Sequence, residues 1–172
     1  MDTVTLLNEI SEVLPPVPKP AAEHITFHPV GCGQCDLLRE DLEKYTEPTL
    51  PDEAIRYLHD ELSLLSAQAT RWVLPSYLRR CITMDTYDAL ETEFLIYNLG
   101  PKAEYHADAR ERFRELSSPQ LTALLHFLEW CAVHPEWSSY CGEDIANAQV
   151  FVRSLVSDRQ RPNTSFKRTR EG

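Results

Sequence analysis

The sequence has little glycine and almost no pattern typical of β-strands. Glycine accounts for five of the 172 residues, and there is no glycine-rich phosphate loop, which argues against a nucleotide-binding fold. The tripeptide Ile-Thr-Phe at 25–27 is the one short strand candidate. Long apolar runs are also lacking, since none approaches the ~20 residues that a membrane-spanning helix needs. These absences together predict a helical protein that does not span a membrane.

Neither a secretory signal nor a disulfide framework is predicted. The N-terminal stretch MDTVTLLNEISEVL has an early acid and lacks the basic start and apolar stretch of a signal peptide. We therefore expect a cytoplasmic protein, in which thiols stay reduced. An odd number of cysteines also argues against complete pairing. The cysteines are Cys32, Cys35, Cys81, Cys131 and Cys141.

The charge of the chain is negative but unevenly distributed. The formal net charge is -10, while residues 159–172 contain five basic residues and one acidic residue, so that the rest of the chain carries about -14. Phosphates would repel this acidic body, and we expect it not to bind nucleic acid nonspecifically. The acidity is compatible with a basic protein partner or with solubility alone.

Apolar residues recur at helical spacing along most of the chain. The hydrophobic content of 42% suits a globular protein, and a chain of this length can bury a core without metal or disulfides. We therefore predict an all-α fold, a single compact bundle of about six or seven helices. The chain divides into a short helix with a proline-rich connector (1–20), a helical domain (21–158) and a flexible basic tail (159–172).

Local signals predict several helix boundaries. Ser66 is expected to cap a helix that contains Pro75, where the proline either kinks one helix or divides two. The Gly-Pro pair at 100–101 should end the helix before it. The Ser-Pro pair at 118–119 should begin the next long helix, with serine as the cap and proline at the first helical position.

Two of these helices have notable apolar patterns. Asp85 is expected to cap the helix that ends near Leu99. One face of that helix would carry Tyr87, Leu90, Phe94 and Tyr97. The helix after Ser118 is apolar nearly all round, which is typical of a central helix in a bundle. Its Trp130 is expected to be buried rather than to face a partner, because aromatic residues are more often part of the core.

Two cysteines and a nearby histidine form the clearest candidate site. In HPVGCGQCD, Cys32 and Cys35 are spaced so that two thiolates from one turn can take two corners of a zinc tetrahedron. His28 is the predicted third ligand, and His24 extends the spacing to His-x3-His-x3-Cys-x2-Cys. No second Cys-x-x-Cys exists to complete a four-ligand site. A looser group of two cysteines and one histidine at 131–141 would contribute only if the fold brought it near.

Two other interpretations of this stretch stay open. A redox pair needs a thiolate of low pKa, which Cys32 would have if a helix began near Gly33. The βαβ context of a thioredoxin-like domain is missing, however. Alternatively, Gly31 and Gly33 form a turn, Cys35 packs as a small apolar residue and Cys32 has no role.

No catalytic residue is predicted. Ser76 lacks the Gly-x-Ser-x-Gly surroundings of a hydrolase nucleophile, and His126 has no evident carboxylate partner. The sequence therefore favours a non-enzymatic interaction or accessory protein that binds a protein partner through its acidic surface. The alternative is a small zinc-binding or thiol-redox protein that uses Cys32 and Cys35.

The stretch LSLLSAQATRWVLPSYLRRC, at 62–81, resembles an uncharacterised bacterial family. That family shows Leu-Ser-x-Leu-Ser-x-x-Ala, then an aromatic residue, then Leu-Pro-x-Tyr-Leu. The matching positions are Leu62, Ser63, Leu65, Ser66, Ala69, Trp72, Leu74, Pro75, Tyr77 and Leu78. Some members carry a Cys-x-x-Cys ahead of this motif, and the later SPQLTALLHFLEW resembles a helix of the family, so the resemblance covers roughly residues 28–135. It implies a small helical domain and brings no known activity, substrate or catalytic residue.

The basic tail resembles a different kind of sequence. RPNTSFKRTREG is similar to the translated end of a mobile gene cassette, where the reading frame runs into the recombination site. Such an origin implies an accessory or adaptive role, and a tail charge that reflects the DNA sequence. The other interpretation is a flexible basic arm that touches nucleic acid or the acidic body.

Overall fold

The computed structural model describes residues 1–28, 31–84 and 90–161 of the chain. Within these ranges there are nine α-helices, three short 3-10 turns and no β-strand, which confirms the all-α prediction. The α-helices are α1 (Thr3–Val13), α2 (Gly33–Glu43), α3 (Asp52–Tyr57), α4 (Ala67–Thr83), α5 (Leu90–Leu99), α6 (His106–Arg112), α7 (Ser118–Val133), α8 (Pro135–Tyr140) and α9 (Gly142–Gln160). The 3-10 turns are Ala22–His24, Leu62–Leu64 and Ala103–Tyr105. The number of helices in the described ranges exceeds the six or seven predicted, and α8 forms in a segment where no helix was predicted.

Local chemistry sets the ends of α4 and α5. The Ser66 hydroxyl accepts a hydrogen bond from the Ala69 amide at 3.1 Å, which confirms the predicted cap of α4. Pro75 lies inside α4, which runs through it as one helix, so the proline does not divide the segment. α5 ends at Leu99, immediately before the Gly-Pro pair at 100–101, as predicted.

α4 is buried around most of its circumference. Its buried side chains extend from Ala67 to Ile82 and include Trp72 and Leu74. The Trp72 indole donates a hydrogen bond to the Glu47 carbonyl at 3.2 Å. Helices α1, α3, α5 and α6 all contact α4. α4 is therefore enclosed by four other helices.

α7 lies against both α1 and α9. The N-cap residue of α7 is Ser117 and not the predicted Ser118. The Gln120 side chain accepts a hydrogen bond from the Ser117 amide at 3.0 Å, as in a capping box. Trp130 is 9% exposed, so its predicted burial is confirmed. The Trp130 indole donates to the Thr3 hydroxyl at 3.3 Å, which ties α1 to the rest of the bundle.

The apolar face that the sequence suggests for α5 is not the side that the fold buries. Leu90 and Tyr97 are 56% and 46% exposed, and the predicted positions Asp85 and Tyr87 lie outside the described residues. The buried apolar residues of α5 are Leu95, Ile96 and Leu99. Because α5 has apolar side chains on more than one side, its own spacing could not select the buried face. Packing against α9 and against the turn at Leu62–Leu64 selects it.

The strand candidate at 25–27 forms no strand. Thr26 and Leu65 make one isolated antiparallel bridge. The Phe27 amide also donates to the Leu64 carbonyl at 2.7 Å. These contacts attach the segment ahead of the Cys-x-x-Cys pair to the start of α4, and so position the candidate site on the bundle.

Two sequence predictions concern membranes and the tail. No helix within the described ranges is both long and apolar enough to cross a membrane.

α9 extends to Gln160, and residues 162–172 of the predicted tail lie outside the described residues.

Candidate metal centre

A short segment before α2 carries the histidine of the candidate site. The Thr26 hydroxyl and the Arg39 guanidinium both donate to the His28 carbonyl, at 2.9 and 3.0 Å. Arg39 comes from the second turn of α2 and also binds the Thr26 hydroxyl and the Asp36 carboxylate. The backbone of the histidine is thereby tied to the helix that begins with the two cysteines.

The two cysteines lie at the start of α2. Cys32 is the N-cap residue, with an extended backbone (φ -111°, ψ 110°), and Cys35 follows in the first turn. Gly31 has a φ of +83°, a left-handed conformation that glycine adopts without strain. A side chain at Gly31 would meet no atom within 4 Å, so glycine is needed here for its conformation and not for space.

The side chains of His28, Cys32 and Cys35 converge. His28 Nδ1 lies 3.8 Å from Cys35 Sγ, and the donor atoms of all three residues lie within 4.8 Å of one another. Zn–S bonds of about 2.3 Å and Zn–N bonds of about 2.0 Å at tetrahedral angles place nitrogen and sulfur roughly 3.5 Å apart and two sulfurs roughly 3.8 Å apart. The observed separation of nitrogen and sulfur is slightly longer, so the donors would move closer together to share an ion. Within the described ranges, this is the one group of three or more His, Cys, Asp or Glu side chains that is close enough to share an ion.

One side of the cluster faces solvent. Cys35 is fully buried, Cys32 is half-buried and His28 is exposed. No fourth His, Cys, Asp or Glu from the described part of the chain joins the group. Structural zinc sites usually have four protein ligands, whereas sites with three leave a position for water or another ligand. With three donors among the described residues, the cluster would match the second arrangement if it held an ion.

The two thiols have opposite environments. The nearby Cys35 amide, and then the Cys35 thiol, lower the pKa of Cys32. Burial raises the pKa of Cys35, and its hydrogen bond to Cys32 raises it further. Cys32 therefore forms a thiolate more readily than Cys35.

The other residues considered as ligands do not join the cluster. His24 is exposed and contributes no donor atom to the group. Cys131 and Cys141 belong to the apolar core together with Cys81, where burial raises the pKa of Cys81 to about 12. The His134 ring packs between two tryptophans, with ring centroids 5.3 and 6.2 Å apart. The fold thus gives this second group a packing role.

Two interactions were missed in the sequence. The expectation that His126 lacks a carboxylate partner is wrong, because its Nδ1 lies 2.8 Å from both carboxylate oxygens of Glu9. These residues are 117 positions apart, so no local pattern could have paired them. Arg39 was also overlooked, although an arginine three residues after Asp36 is a recognisable helical ion pair.

Structure and sequence comparison together define the class of protein. The described chain is an all-α protein with a His-Cys-Cys cluster at the start of one helix. The Family of unknown function (DUF6714) matches residues 38–145, which is more than half of the chain, and the protein belongs to this family. No curated protein and no solved structure matches the chain. Because the matched span begins after Cys35, the candidate site lies just outside it.

Proposed function

We propose that this protein binds one zinc ion through His28, Cys32 and Cys35. The observation that supports the proposal is the convergence of three donor atoms within 4.8 Å of one another. Thiolate and imidazole are the ligands that zinc favours in proteins, whereas Mg²⁺ and Ca²⁺ prefer oxygen. The donor set and its spacing therefore favour zinc over the hard cations.

The bound ion would have one coordination position on the solvent side. Two surface grooves border the site, since Thr26 lines one, Arg39 lines the other, and both residues bond to the His28 carbonyl. A ligand held in either groove would lie beside the open position. We therefore propose a zinc-dependent binding role, in which an external ligand completes the coordination, rather than a purely structural ion.

The first test is the zinc content of untagged protein purified without chelator, measured by mass spectrometry beside a titration of free thiols. We expect about one zinc per chain. His28→Gln should lower zinc affinity by more than the 10–100-fold typical for loss of a residue that only supports a ligand. His24→Gln is the matched control, because it removes a neighbouring histidine that lies outside the cluster, and it should keep its zinc.

Cobalt substitution tests independently which residues bind the metal. Co²⁺ bound by thiolates in a tetrahedral site absorbs strongly in the visible range, and this absorption should be present in the wild type and in His24→Gln. It should be lost in Cys32→Ser/Cys35→Ser. A zinc-free protein with five titratable thiols and no cobalt spectrum would reject the proposal.

A thiol–disulfide role is the second candidate, and the placement of the two thiols favours it. Cys32 is accessible at a helix N-terminus while Cys35 is buried in the first turn, as required of an attacking and a resolving thiol. Oxidation by a small disulfide would form the Cys32–Cys35 bond and break the S–S bond of the oxidant. Two electrons and two protons pass to the oxidant, which leaves as two thiols. Mass spectrometry after equilibration in glutathione buffers separates the candidates. A Cys32–Cys35 disulfide at cytosolic potential supports redox chemistry, and a dithiol that persists with bound zinc supports the metal site.

The acidic body also leads us to propose a basic protein partner in the cytoplasm. The supporting observation is the charge of about -14 outside residues 159–172. The test is a pull-down under native expression, at low and high salt. Recovery of a basic protein that dissociates in high salt supports the proposal, and failure to recover any partner counts against it.

A further inference from the structure

The two sulfurs of the candidate metal centre are also placed for a disulfide. Cys32 is the N-cap residue of α2, and Cys35 is the third residue of the helix. Side chains at these two positions face each other, as the two members of a capping box do. The two sulfurs lie within 4.8 Å of each other. They would therefore have to approach by less than about 3 Å to form an S–S bond.

Cys32 is the cysteine that an oxidant can reach. It is half-buried, whereas the other four cysteines of the chain are buried. Of those four, Cys35 is the one that shares the cluster with Cys32, and the remaining three belong to the apolar core. An oxidant would therefore react first at Cys32, and Cys35 is the thiol placed to resolve the product.

A disulfide and a zinc ion cannot use the two sulfurs at the same time. Zinc at a tetrahedral site holds two thiolates roughly 3.8 Å apart, whereas a disulfide holds its sulfurs about 2.05 Å apart. Zinc also requires thiolates, and the disulfide has none. His28 would then be the one remaining donor of the three. Oxidation and zinc binding therefore compete for the same pair of atoms.

We propose, on the basis of the zinc binding proposed above, that this site is a redox-controlled zinc switch in which a Cys32–Cys35 disulfide releases the ion. The oxidant is a small disulfide. The Cys32 thiolate attacks one sulfur of the oxidant and displaces its first thiolate, and the Cys35 thiolate then attacks Cys32 Sγ and displaces the second. Two electrons pass to the oxidant, two protons from solvent convert it to two thiols, and Zn²⁺ leaves into water. An external ligand held at the open position of the ion leaves the site with it.

The competition links the zinc concentration to the reduction potential of the cysteine pair. Zinc binds the dithiol form and not the disulfide, so by linkage it stabilises the dithiol. Each tenfold increase in free zinc above the dissociation constant should raise the reduction potential by about 30 mV. A redox pair that binds no zinc would have a potential that does not depend on zinc.

The test is a titration of the reduced, zinc-loaded, full-length protein with glutathione disulfide. A chromogenic indicator follows the released zinc, and mass spectrometry follows the disulfide. We expect one zinc released for each Cys32–Cys35 disulfide, and one zinc bound again after reduction. Zinc that stays bound after the disulfide has formed, or a pair that excess glutathione disulfide does not oxidise, would overturn the switch. A reduced protein without zinc at the start would reject the zinc site itself, so the two failures are distinguishable.

Variants locate the effect when the reduction potential is measured in glutathione buffers at several buffered concentrations of free zinc. His28→Gln keeps both thiols, so its disulfide should form, but its potential should begin to rise only at free zinc more than about tenfold higher. Cys141→Ala is the matched control, because Cys141 also lies at the start of a helix but belongs to the core. It should release zinc as the wild type does. A potential independent of zinc in the wild type, or an unchanged zinc dependence in His28→Gln, would refute the assignment.

Discussion

Gly100→Ala should destabilise the protein because α5 and α9 are in backbone contact at this position. A Cβ built on Gly100 would lie 2.5 Å from the Ala148 nitrogen and 2.7 Å from its Cα, whereas Cβ atoms essentially never approach other atoms within 3.0 Å. The opposing atoms belong to the backbone of α9, so no side-chain rotation can relieve the clash. The substitution therefore forces the two helices apart.

The magnitude follows from the nature of the clash. Overpacking a core usually costs about 1–3 kcal/mol when side chains can adjust. Since a backbone must move here, we expect the upper part of that range, about 3 kcal/mol. A chain of this size loses about 2–4 °C of melting temperature per kcal/mol, so Gly100→Ala should melt about 6–12 °C lower.

The assay is thermal and urea unfolding followed by far-UV circular dichroism, with Gly142→Ala as the matched control. Gly142 begins α9, and a Cβ there meets no atom within 4 Å. The control should be neutral or gain up to about 1 kcal/mol, because alanine restricts the unfolded chain. Adding Ala148→Gly to Gly100→Ala should rescue little, because the clashing nitrogen and Cα stay. Equal stability of Gly100→Ala and Gly142→Ala would refute this account of the helix contact.

Three further predictions concern the site and the attachment of α1. Arg39→Met should weaken zinc binding about 10–100-fold in a chelator competition without loss of helicity, because it releases the histidine carbonyl; unchanged affinity would remove Arg39 from the site. A double-mutant cycle of Glu9→Gln and His126→Ala in urea unfolding should give a coupling of about 0.2–1 kcal/mol, since both side chains are partly exposed, and a coupling of zero would mean that the pair does not stabilise α1. In metal-free native protein, brief alkylation followed by mass spectrometry should modify Cys32 and spare Cys81, whose pKa burial raises to about 12; equal labelling of both thiols would contradict the described burial.

Features with a local cause were predictable. The Ser66 cap and the end of α5 before the Gly-Pro pair at 100–101 depend on residues close in sequence, and the structure has both. The convergence of Cys32 and Cys35 also follows from local geometry, since three positions along the first turn of a helix bring the side chains together. The position of His28 beside the two cysteines depends on tertiary contacts as well, because Arg39 and the start of α4 hold the 26–28 segment.

Features that depend on distant partners were not predictable. α5 carries apolar residues on more than one side, and its neighbours decide that Leu95 is buried while Leu90 is exposed. The pairing of Glu9 with His126 needs α1 to lie against α7. Arg112 looks like a surface arginine in a short polar helix, and only the packing of α6 onto α4 buries it.

The sequence by itself determined the all-α class, the family and the presence of a Cys-x-x-Cys pair at a helix start. These properties follow from the spacing of apolar residues, from helix-capping residues and from the spacing of the two cysteines. All of these act over one or two turns of a helix. Tertiary structure brought His28 to the two thiols, placed the cysteines at 131 and 141 in the core, and buried Arg112. Burial and convergence depend on which surfaces meet in three dimensions, and residues far apart in sequence determine those contacts.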